Sequence, residues 1–424
     1  MGDIRITDLA EPVLTDQQQA ILDFGETLST DFDPESILAE ACSTLGLKDF
    51  GPAEFRERLD LLCDEWGNDE GLTGIGRFNL RNKLLTFAKS RLLIQDLLKR
   101  HPEIHAEEIS EPIIVVGLPR TGTTHMLNLL AADSRLRSLP LWESYEPVPV
   151  PGEATLPDGT DPRYQRCADS WQAMQSTTPL IAAMHPMNPD HIHEELELQG
   201  PDFGSYNFEW LAHSPRWRDH YYATDQTPRY AYMKTVLKLL QWQDKQRLGS
   251  SYQTKRWVLK CPQHLEQLPV LMNTFPDATV VVTHRDPVAV IQSTITMLAY
   301  GQRMGRKKVL IQELADYWSE RVAHLLQRCV EDRHLLAENK SIDSLFHEFM
   351  ADDMGMVEKI YEKAGLELTD KARAQMRSYI DAHPRGKHGS VIYNLREDFG
   401  IDPSGLRQRF QFYFEKFPVR VEAR

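Results

Sequence analysis

The chain has 424 residues and a formal net charge of −14, which is enough length for two or three domain-sized units. The acidic balance argues against a nucleic-acid-binding surface, although a local basic pocket is compatible with it. The five cysteines are scattered and form no C-x-x-C pair, a pattern typical of reduced thiols in the cytoplasm. No apolar run approaches membrane-spanning length and the first residues do not resemble a signal peptide, so we expect a cytoplasmic protein without an integral membrane segment.

Residues 1–110 have the apolar periodicity of helices, punctuated by glycines, and contain no motif with recognisable chemistry. We predict an entirely helical N-terminal cap, with residues 111–424 forming the core. The alternative interpretation of the N-terminal region is a dimerisation or substrate-gating layer.

The segment 111–130, EPIIVVGLPRTGTTHMLNLL, has the order of a buried strand, a glycine-containing turn and a helix. Gly117 and Gly122 keep the glycine spacing of a phosphate-binding P-loop, and Thr124 keeps its hydroxyl. Such a turn directs backbone N–H groups and the positive end of the helix dipole at an anion. We therefore predict an anion site at this turn.

The turn departs from the nucleotide-binding loop at one position. Thr123 stands where that loop has the lysine that contacts the terminal phosphates, and the cation is Arg120 inside the turn instead. No nearby apolar strand ends in an aspartate that would hold magnesium. The pattern therefore favours an anion other than the magnesium complex of ATP.

Residues 133–255 interrupt the alternation of strands and helices. Residues 136–159 are rich in proline, which predicts an extended path without regular structure. The rest of the interruption is rich in methionine, histidine and aromatic residues. We interpret residues 133–255 as a substrate-side insert that lines an acceptor pocket, the alternative being ordinary core.

Two later strands carry cations at their ends. Residues 256–260 form a short apolar strand ending in Lys260, and the strand over 278–283 is followed by Arg285. Ser293 lies eight residues after Arg285, about two turns into the next helix. Alternating strands and helices predict an α/β fold, a P-loop-like parallel sheet flanked by helices.

These motifs together resemble one enzyme family. PRTGTT at 119–124 resembles the 5′-phosphosulfate loop of sulfotransferases that use 3′-phosphoadenosine 5′-phosphosulfate (PAPS), and Arg285 with Ser293 resembles their 3′-phosphate motif. Segments 47–55 and 393–417 are similar to a soluble bacterial branch of that family, so the likeness covers most of the chain.

The resemblance implies a PAPS-dependent sulfotransferase that requires no metal and sulfates a hydroxyl group or an amine of a small-molecule acceptor. It implies donor-binding roles for a loop cation, the loop backbone and hydroxyls, the second motif, and a late basic loop: Arg120, Thr121, Gly122, Thr123, Thr124, Arg285, Ser293, Arg385, Gly386 and Lys387. Arg120 and Lys260 would stabilise the departing phosphate.

The general base stays open between several residues. Glu143 falls near the place of the family's glutamate base, with Glu146 as its near competitor, and Trp142 and Tyr145 beside it as acceptor contacts. His193, Glu194 and Glu195 form a second cluster, in which His193 and Glu194 are also predicted acceptor contacts. The cluster lacks the further ligands that a metal site needs. His125 and His264 are further candidates.

The insert's composition favours a hydrophobic acceptor such as a phenol, sterol, lipid or glycolipid, while a carbohydrate would also stack on its aromatic rings.

Two other functions compete with sulfuryl transfer: a P-loop kinase or NTPase, and a nucleotide-binding protein without catalysis. Magnesium dependence would separate the NTPase from the sulfotransferase. A homodimer is compatible with the sequence, which does not fix the number of subunits.

Overall fold

A parallel sheet organises the computed structural model, which describes residues 2–384 and 389–423. The strands in chain order are β1 (Asp3–Arg5), β2 (Ile113–Gly117), β3 (Leu136–Arg137), β4 (Arg256–Lys260), β5 (Thr279–His284), β6 (Ser341–Leu345) and β7 (Ser390–Ile392). Five of them form one sheet in the order β3–β4–β2–β5–β6, and every neighbouring pair is parallel. This confirms the predicted fold class.

The centre of the sheet is buried on both faces because β2 is apolar and buried at every position. Ile114 and Val116 of β2 belong to one hydrophobic cluster, whereas Ile113 and Val115 belong to another on the opposite face. Successive side chains of a strand point to opposite faces. Helices therefore cover both faces, as in other parallel sheets.

The helices before and directly after β2 are α1 (Asp16–Gly25), α2 (Pro34–Leu45), α3 (Phe55–Gly67), α4 (Gly74–Arg100) and α5 (Thr123–Ala131). Helices α2, α3 and α4 share a cluster that includes Trp66 and Phe87, and aromatic residues of the insert such as Phe208 and Trp217 complete it. The N-terminal region therefore packs directly on the insert.

The N-terminal region is not entirely helical, which corrects the prediction from sequence. Strand β1 pairs in parallel with β7, and Arg5 forms an ion pair of 2.7 Å with Asp398. The partner strand comes from the other end of the sequence, so no local pattern could predict the pairing.

The insert contributes α6 (Leu141–Tyr145), α7 (Pro162–Thr177), α8 (Ile181–Met184), α9 (Leu196–Gln199), α10 (Asn207–Leu211), α11 (Pro215–Ala223) and α12 (Thr227–Leu248). The prediction that residues 136–159 lack regular structure was wrong at their start, where β3 and α6 lie. Leu136 and Leu141 are buried there, and burial of these apolar side chains fixes regular structure despite the prolines that follow.

The remaining helices are α13 (Leu268–Thr274), α14 (Pro287–Gly305), α15 (Ile311–Asp332), α16 (Phe346–Ala351), α17 (Asp353–Ala364), α18 (Asp370–Ala382), α19 (Leu395–Phe399), α20 (Pro403–Gln408) and α21 (Gln411–Lys416). A buried ion triad joins the insert to this part of the chain: Arg321 of α15 lies 2.9 Å from Glu209 of α10 and 2.6 Å from Glu266. None of the described helices has the length and apolar character that crossing a membrane requires.

Candidate active site

The turn between β2 and α5 is held tightly against β5. A side chain at Gly117 would overlap the Oγ1 atom of Thr283, and Gly122 has a φ of +84°, which favours glycine. Thr121 is buried, with its Oγ1 2.6 Å from the Leu118 carbonyl oxygen and 2.7 Å from Thr283 Oγ1. The turn therefore has one defined shape.

This packing predicts a stability cost for Gly117→Ala. The added methyl group would displace Thr283 and its contact with Thr121, so we expect a loss of about 1–3 kcal/mol in the free energy of unfolding, measured by urea denaturation. Gly301→Ala is the matched control, since a Cβ at this position of α14 meets nothing within 4 Å. A Gly117→Ala protein as stable as the control would contradict the tight fit.

Helix α5 begins at this turn without a side-chain cap. Gly122 is its N-cap and supplies no side-chain hydrogen bond. The first N–H groups of a helix lack partners within the helix and carry the positive end of its dipole. Thr123 and Thr124 line the adjoining cavity, so this end of α5 can receive an anionic group.

The structure brings Arg120, Arg285 and Ser293 together. Arg120 Nε donates a hydrogen bond of 3.0 Å to Ser293 Oγ, and its Nη1 donates to the carbonyl oxygen of Met184. Arg285 Nη1 donates to the carbonyl oxygen of Arg120. These three residues line a cavity of about 280 Å³. Arg120 and Arg285 also line a second cavity, of about 1190 Å³.

Lys260 ends β4 inside the protein, with 3% of its surface exposed, and lines the larger cavity. Its ammonium group pairs with Glu194, and its backbone N–H donates to Glu195 Oε2 over 2.8 Å. Burial raises the pKa of Glu194, while the Lys260 ammonium opposes that rise. Glu195 also lies 2.6 Å from His264 Nε2. Glu194 thus holds the ammonium group of Lys260, and Glu195 holds its backbone N–H group.

Glu143 lies apart from these groups. It pairs with Arg137 at 2.7 Å, and Arg137 also pairs with Asp244 at 2.8 Å. Among the residues described, the lining of the larger cavity includes Tyr145 but neither Glu143 nor Trp142.

Other predicted residues have different surroundings. Glu146 reaches the cavity but pairs with Arg166 at 2.6 Å. His125 lies 3.0 Å from Asp353. The predicted basic loop positions Arg385, Gly386 and Lys387 fall outside the described residues.

Three histidines of the insert stand together beside Lys260. The ring centroids of His185, His191 and His193 are 5.4–6.2 Å apart, and His185 and His193 line the larger cavity. Burial lowers the pKa of all three below the usual value, and the nearby Lys260 ammonium adds to the effect. Within residues 2–384 and 389–423, no group of three or more His, Cys, Asp or Glu side chains is arranged to hold a metal ion.

His185 is the residue that the sequence reasoning did not single out. Its pKa falls to about 4 because of burial and the neighbouring Lys260. Its Nδ1 lies 3.2 Å from the Pro186 carbonyl oxygen, an atom that can only accept. The neutral ring therefore carries its proton on Nδ1 and presents a lone pair on Nε2. The only signal for His185 in the sequence was the histidine-rich composition around it.

The larger cavity extends from these polar groups to an apolar wall. That wall is built from several helices and from the segments that flank them, and includes Ile21, Ile75, Leu80, Met174, Met297 and Met304. Helices α1 and α4 of the N-terminal region thus contribute to the same cavity as the insert. The cavity is large enough for an extended apolar molecule.

The parallel sheet places a glycine-containing turn without the P-loop lysine beside a second strand end that carries a cation, Arg285. Residues 112–370 match the Sulfotransferase family, and the chain belongs to that family. The chain is therefore a sulfotransferase, as the motifs predicted.

Individual relatives agree with this assignment. The chain is 23% identical over 294 residues to omega-hydroxy-beta-dihydromenaquinone-9 sulfotransferase Stf3 of Mycobacterium bovis and of Mycobacterium tuberculosis, covering 69% of this chain and 72% of each relative. The crystal structure of sulfotransferase STF1 from M. tuberculosis H37Rv superposes with a TM-score of 0.76 at 29% identity, covering 92% of this chain and 100% of STF1. Sulfotransferase STF9 from Mycobacterium avium gives a TM-score of 0.80 at 25% identity, covering 94% of this chain and 99% of STF9.

Proposed function

We propose that this sulfotransferase transfers a sulfuryl group from PAPS to a hydroxyl group of a hydrophobic small molecule in the cytoplasm. The observation that carries the proposal is the convergence of Arg120, Arg285 and Ser293 on one small cavity beside the uncapped start of α5. Two separate anion-binding elements at that spacing suit a donor with a phosphate at each end of its ribose.

The residues divide between the two ends of the donor. The backbone N–H groups and hydroxyls from Thr121 to Thr124 would hold the 5′-phosphosulfate, because a helix N-terminus stabilises an anion. Arg285 and Ser293 would hold the 3′-phosphate, since the planar guanidinium matches phosphate oxygens. Arg385, Gly386 and Lys387 complete this proposed donor site on the basis of the motif alone.

The reaction requires little covalent chemistry from the protein itself. The acceptor oxygen forms a bond to sulfur while the bond from sulfur to the 5′-phosphate oxygen breaks, and the acceptor proton passes to a base. Positioning and stabilisation of the charge on the leaving oxygen supply most of the catalysis. Arg120 and Lys260 are the cations that we assign to that oxygen.

We assign the base to His185. It lines the cavity, is neutral near pH 7 and presents Nε2 as an acceptor. Glu143 pairs with Arg137 and is not among the described residues that line the larger cavity, and the Glu194 carboxylate is paired with the Lys260 ammonium group. His193 is the second candidate from the same cluster.

The acceptor class follows from the apolar wall of the larger cavity. Methionine and aliphatic side chains adapt to flexible apolar ligands. The Stf3 relatives are named for a menaquinone derivative that carries a terminal hydroxyl group, which is an acceptor of this kind. We propose that residues 133–255 and the helical region within 1–110 jointly form the acceptor side of the enzyme.

The donor site is tested by titrating the protein with 3′-phosphoadenosine 5′-phosphate (PAP) and with ADP in a calorimeter, with EDTA present. We expect wild type to bind PAP at least tenfold more tightly than ADP, since a charge-assisted bidentate contact contributes about 1.5–3 kcal/mol. Arg285→Ala should lose most of that preference.

Arg333→Ala is the matched control, because Arg333 pairs with Asp343 at 2.8 Å and lines neither cavity among the described residues. Its preference for PAP should match that of wild type. Equal binding of PAP and ADP by wild type, or binding that needs magnesium, would contradict the assignment of Arg285 and favour an NTPase.

A further inference from the structure

The segment that follows α21 folds back onto the phosphate-binding end of the molecule. The carboxylate of Glu422 accepts hydrogen bonds of 3.0 and 3.1 Å from Arg285 Nε and of 2.7 Å from Arg285 Nη2. Glu422 is also one of the residues that line the cavity of about 280 Å³, together with Ser293. A side-chain anion therefore sits where the two predicted 3′-phosphate residues meet.

The backbone on either side of this carboxylate is fixed. The N–H groups of Glu422 and Ala423 donate to Asp286 Oδ2 over 2.8 and 3.2 Å, and Asp286 is fully buried. Arg407 of α20 donates to the carbonyl oxygen of Ala423. Because these bonds position the backbone, the placement of Glu422 is a property of the fold rather than a loose surface contact.

The contact uses the part of Arg285 that binds planar anions. The Nε and Nη2 groups form the fork that a carboxylate or phosphate engages with two oxygens, and both donate to Glu422. The face of the guanidinium lies 3.9 Å from the ring centroid of Phe346, and its Nη1 donates to Arg120. A second anion can take the fork only if Glu422 leaves it, since two like charges in one small cavity repel.

We propose that Glu422 is an internal competitor for the 3′-phosphate, and that it sets the affinity of the enzyme for its nucleotide. The inference rests on the proposed function, because it takes Arg285 as the 3′-phosphate site. When the nucleotide binds, Glu422 gives up the fork to the phosphate; when the nucleotide product leaves, Glu422 returns to it. A ligand without a 3′-phosphate leaves the Arg285–Glu422 pair intact.

This exchange has a use in turnover. Release of product limits the rate of many enzymes, and a bisphosphate held by two arginines dissociates slowly. When the nucleotide leaves, the Glu422 carboxylate replaces the 3′-phosphate on Arg285. The arginine is then not left unpaired, so the free-energy penalty of product release is smaller. The competitor therefore lowers the affinity for PAP and speeds its release.

The test compares Glu422→Gln with wild type by calorimetric titration with PAP and with ADP. We expect Glu422→Gln to bind PAP roughly fivefold more tightly, the scale of a partly exposed ion pair, and to bind ADP as wild type does. Glu415→Gln is the matched control, since it removes the same charge from an exposed position of α21. Its affinity for both nucleotides should equal that of wild type.

Each outcome decides a separate point. Suppose that wild type prefers PAP but that Glu422→Gln binds PAP equally well or more weakly than wild type. This result would contradict the proposal that Glu422 competes with the 3′-phosphate, and would indicate that Glu422 positions Arg285 instead. If wild type shows no preference for PAP over ADP, both the proposed donor site and the proposed competition by Glu422 are contradicted.

Discussion

The double variant Lys260→Met/Glu194→Gln is expected to turn over about 10²- to 10³-fold more slowly than the single variant Glu194→Gln, the scale seen when one donor to a developing negative charge is removed. Lys260 is buried at the end of β4 and lines the cavity that the turn between β2 and α5 adjoins. Its ammonium group can therefore neutralise the leaving phosphate oxygen in a site shielded from water, where such a charge has its largest effect.

The double variant is needed because Lys260 and Glu194 form a buried ion pair. Removing the lysine alone would leave a buried carboxylate unpaired, which destabilises a protein by about 3–5 kcal/mol. Steady-state kcat, PAP affinity and thermal denaturation are measured on both variants. We expect the kcat to fall and PAP to bind more weakly, because PAP carries the leaving oxygen with its full charge, while the unfolding temperature stays close to that of Glu194→Gln. A double variant that keeps the rate of the single variant would remove Lys260 from the reaction.

Replacing His185 by glutamine is expected to lower kcat about 10²- to 10⁴-fold, the usual contribution of a general base, without weakening PAP binding. The base acts in its neutral form, and the pKa of His185 is about 4. For the free enzyme, protonation of His185 should therefore leave kcat/KM nearly unchanged between pH 6 and 8. It should lower kcat/KM as the pH drops towards 4. A negatively charged donor bound nearby would raise this pKa in the complex.

His191→Gln is the matched control, because His191 belongs to the same cluster but is not among the described residues that line the cavity. It should keep most of the activity. If His185→Gln retains the rate of wild type while His193→Gln loses it, the base is His193.

The placement of the two proposed donor motifs at one end of the sheet could be predicted because each motif is local. The turn from Gly117 to Gly122 and the spacing of Arg285 and Ser293 each depend on one strand and the helix that follows it. Parallel strands end at the same edge of a sheet, so the pairing of β2 with β5 brings both motifs together. The α/β class followed from the same alternation.

The acceptor side could not be predicted in the same way. Glu143 has the sequence context of a base, yet its side chain meets Arg137, and Arg137 is held by Asp244 of α12 far along the chain. His185 acquires its low pKa from burial and from Lys260, which is distant in sequence. The contact of Glu422 with Arg285 joins residues 137 positions apart. Such contacts depend on tertiary packing, which no local pattern records.

The most direct test of the account is a turnover assay with PAPS and three acceptors: 2-naphthol, hexadecanol and a menaquinone with a hydroxyl group at the end of its prenyl chain. PAP and the sulfated product are quantified together by mass spectrometry, with EDTA present. We predict equal amounts of PAP and sulfated product, the highest rate with a long-chain acceptor, and no loss of rate in EDTA. Failure of all three acceptors to release PAP, or release that depends on magnesium, would contradict sulfuryl transfer from PAPS to a hydrophobic hydroxyl.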